Sequence, residues 1–145
     1  MVYIVVLIVI LLDQMVKLLV MEKMKVSESI PIIKDVFHLT YVQNRGAAFG
    51  ILPGRRYLFI VITVVVISFL LIYYYKTRGS GMVTLSTGLI IGGALGNLID
   101  RIRFGYVVDY LDFRIWPVFN LADSSVVIGA ALLILYLWQQ EKVGD

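Results

Sequence analysis

Four long apolar stretches dominate this 145-residue sequence. A helix needs about 20 mostly apolar residues to cross the hydrocarbon core of a bilayer. The stretches that meet or approach this requirement cover about residues 1–21, 57–75, 82–99 and 122–138. We do not expect the first to be a removable signal peptide, because no basic residue precedes it and it contains Asp13 and Lys17. We therefore predict four transmembrane helices in a single domain over residues 1–145.

The composition is that of a chain whose solvent is lipid. Hydrophobic residues make up 60% of the sequence and charged residues 16%, whereas a soluble domain carries roughly 25% charged residues. The net charge of +3 is too small and too scattered for a nucleic-acid surface. The sequence has no cysteine and a single histidine, His38, which excludes thiol chemistry and the usual zinc-site patterns. We expect no metal, no cofactor and no nucleic-acid partner.

Two long connections are predicted to lie on the same side of the membrane. The short polar turn from Lys76 to Gly81 makes the second and third spans an antiparallel hairpin, so residues 22–56 and 101–121 share a side. Phe37–Gln43 alternates with period two, which is typical of a half-buried strand. Phe113–Phe119 is aromatic and β-branched and is predicted to form another strand. The predicted fold is an all-α membrane protein with a small β-sheet platform formed by the long connections.

Polar residues inside or beside the spans converge on the side of the long connections. Charged groups within spans are costly and usually face a bundle interior or a functional cavity. Asp13 and Lys17 are four residues apart, so they share a helix face and can pair. The other members are Asn97, Asp100 and Arg101 at the end of the third span, and Asn120 and Asp123 at the start of the fourth. Helix caps or a loop-edge pair of Asp100 with Arg101 would explain some of them, but a cap does not explain a pair within a span.

Such a cluster can support peptide hydrolysis by two acids. When two neighbouring carboxyls share one proton, the ionised one activates water and the protonated one acts as acid. The candidates are Asp100, Asp109, Asp112 and Asp123. Asp109 and Asp123 are 14 positions apart, so the segment between them must fold back to bring them together. The pattern of residues does not choose between Asp109 and Asp112.

Five motifs resemble those of a known family. They are Leu12-Asp13-Gln14 with Lys17, Gln43–Phe49, Gly92–Arg101, Val107–Tyr110 and Phe119–Ser124. In this order and spacing they resemble the bacterial lipoprotein signal peptidases (signal peptidase II) over nearly the whole chain. Tyr110 stands where phenylalanine is common in that family, and we read this difference as harmless.

The resemblance implies an aspartyl endopeptidase of the hydrolase class. Such an enzyme removes the signal peptide from a prolipoprotein by hydrolysing the bond before the diacylglyceryl-modified cysteine. The dyad carries over to Asp109 and Asp123, and Phe49 with the first-connection strand would cover the site as a clamp. The supporting residues that the resemblance implies are Asp13, Lys17, Asn44, Gly46, Asn97, Arg101, Asn120 and Ala122.

The orientation predicted from charge conflicts with the one that the resemblance implies. The long-connection side carries nine basic residues and the other side three, so the positive-inside rule places the long connections in the cytoplasm. The resemblance implies a multi-pass protein of the bacterial cytoplasmic (inner) membrane with both termini in the cytoplasm and the active site near the outer face. We follow the resemblance, because a substrate that is lipidated outside must meet its peptidase there. We expect a monomer in contact with membrane lipid, and the resemblance implies inhibition by globomycin-type cyclic peptides.

Other functions make different demands on the sequence. A serine–lysine hydrolase would pair Lys17 with Ser124 or Ser125, but Asp13 is the better partner for Lys17. A carrier that used Asp13 and Lys17 as a relay would need polar groups at the midplane and on the opposite side. A presenilin-type protease would need a Gly-x-Gly-Asp motif in a span, which the sequence lacks. A structural subunit or assembly factor for lipoproteins would keep its function without the two dyad acids.

Overall fold

The apolar stretches form four long helices in the computed structural model, which describes residues 1–46, 54–77 and 81–144, apart from the side chains of 143 and 144. The helices are α1 (Val2–Lys23), α2 (Arg56–Lys76), α3 (Gly81–Arg103) and α4 (Leu121–Gly144). Each is long and apolar enough to cross a membrane, and a helix satisfies its own backbone polar groups where no water can do so. The prediction of a membrane protein with four spanning helices is confirmed.

Helix α3 lies at the centre of the bundle. In α3, 67% of the most apolar 18-residue segment is buried, whereas the corresponding share is 22% or less in each of the other three helices. Those three helices therefore turn most of their surface to lipid. Helix α3 contacts α1, α2 and α4. A Cβ atom on Gly88 or Gly92 would lie 2.7 Å from the Cβ of Val5 or Val9 on α1, so only glycine permits this approach. The small residues of the third span are thus the residues on which α1 packs.

The two long connections join in one antiparallel sheet with the strand order β1-β2-β3. The strands are β1 (Ser29–Ile33), β2 (Phe37–Asn44) and β3 (Val107–Asp112). The strand predicted over Phe37–Gln43 is confirmed as β2. Strands β1 and β2 come from the first long connection and β3 from the second, and Val42 pairs with Asp109 across the sheet. The sheet therefore ties the end of α1 to the segment between α3 and α4.

The prediction of a strand over Phe113–Phe119 is wrong. Within this segment, Phe119 alone forms a bridge, to Leu111 at the end of β3. Arg114 has a φ of +65°, which turns the chain out of an extended path, and Pro117 has no N–H to donate to a ladder. The segment instead doubles back on β3, with hydrogen bonds of 2.8 and 3.0 Å in both directions between Leu111 and Phe119. This is the fold-back that any pairing of Asp109 with Asp123 requires.

A small apolar core fixes the sheet to the end of α1. Val20 of α1 and Met24, directly after the helix, pack there with Tyr41 of β2 and with Val108 and Tyr110 of β3. Because side chains alternate across a strand, residue 109 points to the opposite face from these two β3 neighbours. Burial of Val108 and Tyr110 against α1 thus directs the carboxyl group between them towards α3 and α4.

Candidate active site

Asp109 and Asp123 line the same cavity, which has a volume of about 410 Å³. Asp109 lies in the middle of β3 and is 2% exposed, whereas Asp123 lies in the first turn of α4. The polar residues that share this cavity with them include Asn44, Asn97 and Arg101, and Gly46 also lines it. The cavity therefore contains both predicted dyad residues and four of the eight predicted supporting residues.

Asn120 contacts both carboxyl groups of the predicted dyad. Its Nδ2 donates to Asp109 Oδ1 at 2.7 Å, and its main-chain N–H donates to Asp123 Oδ2 at 3.3 Å. In return its Oδ1 accepts the main-chain N–H of Asp123 at 2.8 Å. This reciprocal pattern is a capping box, with Asn120 as N-cap and Asp123 three residues on. The residue that begins α4 thereby fixes where the two carboxyls stand relative to each other.

The second oxygen of each carboxyl accepts a hydrogen bond from another asparagine. Asn44 Nδ2 donates to Asp109 Oδ2 at 3.0 Å, and Asn97 Nδ2 donates to Asp123 Oδ1 at 2.7 Å. The amide of Asn44 is itself oriented, because its Oδ1 accepts the main-chain N–H of Gly46 at 2.9 Å. Amide donors position a carboxyl group without supplying a positive charge that would hold it ionised.

The electrostatic environment favours a proton on Asp109. Burial and then the negative charge of Asp123 raise the pKa of Asp109 to about 7, against the opposing hydrogen bonds from Asn44 and Asn120. A carboxyl group with this pKa is protonated in a large fraction of molecules near neutral pH. Two interacting acids titrate as a pair, so the site can hold one shared proton.

Beneath the dyad lies a buried ion cluster centred on Lys17, which is 1% exposed. Its ammonium group lies 2.9 Å from Asp13 Oδ2 and 2.9 Å from Asp100 Oδ2. Its third contact is Asn97 Oδ1, also at 2.9 Å. The pairing of Asp13 with Lys17 that their spacing predicts is present, but Asp100 pairs with Lys17 instead of forming the loop-edge pair with Arg101.

The serine–lysine alternative finds no support in this geometry. The hydroxyl of Ser124 donates to the carbonyl oxygen of Asn120 at 3.0 Å, and that of Ser125 donates to the carbonyl oxygen of Leu121 at 2.9 Å. An ammonium group has three N–H donors, and the three short contacts of Lys17 use all of them. A lysine held in this way is not positioned as a base for a serine.

Asp112, which the sequence did not separate from Asp109, has different partners. It accepts hydrogen bonds from Thr40 Oγ1 at 2.7 Å and from the main-chain N–H of Arg114 at 2.8 Å. Burial works to raise the pKa of Asp112, but the hydrogen bonds from Thr40 and Arg114 outweigh it and hold the pKa below its usual value. Asp112 therefore ends β3 and stabilises the turn after it, and it does not line the shared cavity.

The remaining predicted residues also lie at this end of the bundle. The guanidinium carbon of Arg101 lies 5.0 Å from the ring centroid of Phe59 on α2, which holds the arginine at the wall of the cavity. The main-chain N–H of Ala122 donates to Asp13 Oδ1 at 3.0 Å. The proposed clamp residue Phe49 lies outside the described residues, as do positions 78–80 of the predicted turn after α2.

Gln14 is a member of the cluster to which the sequence analysis assigned no role. Its Nε2 donates to Asp100 Oδ1 at 2.9 Å and to the carbonyl oxygen of Gly96 at 3.2 Å. The available signal was a second polar side chain beside Asp13 within a span, where each polar group needs a partner. Trp116 was also missed, although it lines the cavity, because it falls in the segment that was predicted as a strand.

The arrangement has the chemistry of paired acids. The two carboxyls accept hydrogen bonds from three asparagines. In the ranges that the structure describes, no group of three His, Cys, Asp or Glu side chains could hold a metal ion. A positioned acid and base in one cavity can move protons to and from a bound substrate. Fold and site together define a multi-pass membrane protein with a paired-carboxyl site at one end of its helices.

Comparison with known proteins identifies the family. The family model described as "Signal peptidase (SPase) II" matches residues 5–139. The chain is 51% identical over 132 residues to the lipoprotein signal peptidase of Pelotomaculum thermopropionicum, covering 90% of this chain and 87% of that protein. It is 50% identical over 141 residues to that of Clostridioides difficile, covering 94% and 95%. The chain therefore belongs to the signal peptidase II family, which makes it a membrane-embedded peptidase.

Solved structures agree with this assignment. A bacterial membrane enzyme determined by the in meso method at 2.3 Å resolution superposes with a TM-score of 0.93 at 33% identity, covering 99% of this chain and 91% of that one. A second such enzyme, at 1.9 Å resolution, gives a TM-score of 0.86 at 35% identity, covering 94% and 91%. The four helices and the sheet are thus shared with bacterial membrane enzymes.

Proposed function

We propose that this chain is an aspartyl endopeptidase that removes signal peptides from prolipoproteins, cutting before the diacylglyceryl-modified cysteine. The family membership and the name of its relatives, lipoprotein signal peptidase, support the substrate class. The observation that carries the mechanism is that Asn120 contacts both the Asp109 and the Asp123 carboxyl groups at the wall of one cavity. Asp109 and Asp123 are the proposed catalytic residues.

In the proposed reaction, ionised Asp123 takes a proton from water as the water oxygen attacks the scissile carbonyl carbon. Protonated Asp109 gives its proton to the carbonyl oxygen, because its pKa of about 7 makes it the carrier of the shared proton. When the tetrahedral intermediate collapses, the C–N bond breaks and Asp123 passes its proton to the leaving amine. The hydroxyl proton of the intermediate returns to Asp109, which restores the starting state.

The surroundings of the dyad fit a peptide that carries a lipid. Asn44 and Arg101 line the cavity and can bind backbone groups of a segment that would otherwise enter lipid unsatisfied. A second groove of about 560 Å³, lined almost entirely by apolar residues, includes Asp123 and Trp116, both of which also line the cavity. Acyl chains of the modified cysteine in this groove would lie beside the reacting bond.

The orientation and the binding properties are part of the same proposal. The chain would lie in the bacterial cytoplasmic membrane with its termini inside and the dyad near the outer face, where lipidated precursors are presented. It would act as a monomer, and a cyclic peptide of the globomycin type would inhibit it by occupying the dyad cavity. The membership of the signal peptidase II family supports these points.

The test is turnover of purified protein on a diacylglyceryl-modified precursor and on the same precursor without the lipid. We expect Asp109→Asn and Asp123→Asn each to lower kcat at least about 100-fold, because each removes one acid–base group. The matched control is Asp112→Asn, three residues further along β3, because the amide oxygen can accept the main-chain N–H of Arg114 while the hydroxyl of Thr40 accepts from the amide nitrogen. This control should stay within a few-fold of the parent enzyme.

The two precursors separate the mechanism from the specificity. Turnover by either folded dyad variant near the parent rate would refute the two-acid mechanism. Equal cleavage of the lipidated and unlipidated precursors would leave the peptidase mechanism standing and would refute the proposed requirement for the diacylglyceryl group.

A further inference from the structure

Two buried carboxylates outside the dyad each bind the main chain directly before a dyad residue. Asp13 Oδ1 accepts the N–H of Ala122 at 3.0 Å, immediately before Asp123. Asp100 Oδ2 accepts the N–H of Val108 at 3.0 Å, immediately before Asp109. Asp13 and Asp100 are both 0% exposed. The same type of contact thus anchors α4 and β3 at equivalent points, one residue from each acid.

Lys17 joins these two anchors. Its ammonium group lies 2.9 Å from an oxygen of each carboxylate. Gln14, which follows Asp13 on α1, makes a further link to α3, because its Nε2 donates to Asp100 Oδ1 at 2.9 Å. The backbone before Asp123 and the backbone before Asp109 are therefore linked through a short, fully buried chain of contacts.

The third contact of Lys17 determines how an amide faces the dyad. An ammonium group can only donate, so Asn97 must turn its Oδ1 towards Lys17, at 2.9 Å. Its Nδ2 then donates to Asp123 Oδ1 at 2.7 Å. Asn120 Nδ2 also donates to Asn97 Oδ1, at 3.1 Å, which supports the same orientation of the amide.

Burial of three charges is a poor way to stabilise a bundle. Desolvation of a buried ion pair offsets much of its attraction, and apolar residues of similar volume are often as stabilising. Apolar residues could pack α1 on α3, but they could not accept two backbone N–H groups in fixed directions. Reaction rates, in contrast, are sensitive to position, since a displacement of about 1 Å can cost about 100-fold.

We propose that Asp13, Lys17 and Asp100 form a positioning cluster that sets the separation of the Asp109 and Asp123 carboxyls and orients Asn97 towards Asp123. This inference rests on the proposed function and deepens it. The three side chains act through the backbone and through Asn97, so they are positioning residues and not catalytic ones.

The first test is Lys17→Met, which keeps the length of the side chain and removes its charge. We expect kcat to fall about 100-fold while KM stays within about threefold, because the cluster sets the dyad geometry. The charged groups that act on Asp109 are Asp123, Lys17 and Arg101. The positive charge of Lys17 lowers the pKa of Asp109. Removing this charge should therefore raise that pKa and move the basic limb of the kcat–pH profile to higher pH.

The matched control is Lys23→Met at the exposed end of the same helix. Lys23 pairs with Glu22 and is 69% exposed. Its replacement should leave kcat, KM and the pH profile unchanged, so any effect of Lys17→Met belongs to the buried cluster and not to loss of a lysine from α1.

A second variant tests position without changing charge. In Gly96→Ala the new Cβ atom would lie 2.5 Å from Asp13 Oδ2, so the carboxylate would have to move. Alanine is the better helix former, and the variant should keep its helices while kcat falls at least tenfold with an unmoved pH profile. If Lys17→Met does not fold, Gly96→Ala decides the question alone.

Unchanged kcat in folded Gly96→Ala, or in folded Lys17→Met, would overturn the positioning cluster. A change confined to KM would do the same. Failure of the proposed function looks different, because Asp109→Asn and Asp123→Asn would then remain active. If those two variants are inactive while Lys17→Met works normally, only the positioning inference is lost.

Discussion

Asp109 differs from Asp13 and Asp100 in the charge of its hydrogen-bonding partners. The ammonium group of Lys17 contacts Asp13 and Asp100 directly. Asp109 accepts from the neutral amides of Asn44 and Asn120. The ammonium group fixes two carboxyl groups in position, whereas the neutral amides leave Asp109 with a raised pKa. One residue type thus serves as an anchor in two places and as an acid in a third.

The raised pKa of Asp109 predicts a pH-dependent stability. The folded state holds a proton to about pH 7, whereas the unfolded chain releases it near the ordinary value of 3.8. The free energy of unfolding contributed by this group should therefore be highest below about pH 4 and fall as pH rises through about 7. The total change is on the order of 4 kcal/mol. Denaturant titrations in detergent at several pH values should show this decline in the parent protein.

Asp109→Asn provides the comparison, because an amide cannot titrate. The difference in unfolding free energy between parent and variant should shrink or reverse as pH rises, since every other group titrates in both. Parallel curves over pH 4–8 would contradict the raised pKa and, with it, the assignment of Asp109 as the carrier of the shared proton.

The sequence predicted some of these contacts and not others, and chain distance explains the difference. Asp13 and Lys17 lie one helical turn apart, so their pairing follows from helix geometry alone. The choice between Asp109 and Asp112 depends on which face of β3 meets α3 and α4, and no local pattern contains that information. The resemblance to a family, and not the pattern, selected Asp109.

At the scale of elements, α3 positions the site because its small residues let two neighbours approach. Gly88 and Gly92 face α1, while Gly93 faces the start of α4. This close approach brings Asn97 within 2.7 Å of Asp123 across the α3–α4 contact. The packing of the helices and the geometry of the dyad are therefore set by the same surface.

Gly93→Ala should disturb both the packing of the helices and the geometry of the dyad. The added Cβ would meet the carbonyl oxygen of Ala122 and lie 2.9 Å from Val126 Cγ2, and the first of these is backbone that cannot turn aside. We expect a loss of about 1–3 kcal/mol in unfolding free energy, despite the better helix propensity of alanine. Thermal unfolding in detergent and kcat on the lipidated precursor are the measurements.

The matched control for this change is Gly81→Ala, at the start of the same helix, where a Cβ would meet none of the described residues within 4 Å. It should leave the unfolding temperature unchanged or raise it slightly. Equal effects of the two substitutions would show that helix propensity, and not the α3–α4 contact, determines the outcome.

Element types were predictable where one pattern dominated. The helices follow from long apolar runs, and β2 follows from a clean alternation. Strand β3 was not identified from pattern because Val107–Asp112 is buried on both faces, and a short buried run cannot be assigned from periodicity. Phe113–Phe119 has the composition of a strand, but the positive φ of Arg114 and the missing N–H of Pro117 limit its pairing to the single bridge between Phe119 and Leu111.

At the scale of the whole molecule, four of the basic residues near the long connections contact an aromatic ring or a carboxylate. Arg56, Arg101 and Arg103 each lie about 5 Å from the centroid of an aromatic ring, and Arg114 pairs with Asp112 at 3.2 Å. The positive-inside rule concerns basic residues that remain on the side where the chain is retained. Lys142 on the other side makes the same kind of contact, since its ammonium group lies 3.8 Å from the ring centroid of Trp138. The charge count therefore still opposes the proposed orientation, and labelling has to decide between them.

The orientation can be measured cleanly because the sequence has no cysteine. We expect Lys25→Cys, at an exposed position between α1 and β1, to react with a membrane-impermeant maleimide in intact cells, because the proposed orientation places the long connections outside. Glu141→Cys, exposed near the end of α4, should react only after the membrane is permeabilised. Both variants should process the lipidated precursor normally, which shows that the labelled molecules are correctly inserted. The reverse labelling pattern would place the dyad on the cytoplasmic side, where a precursor lipidated outside could not reach it.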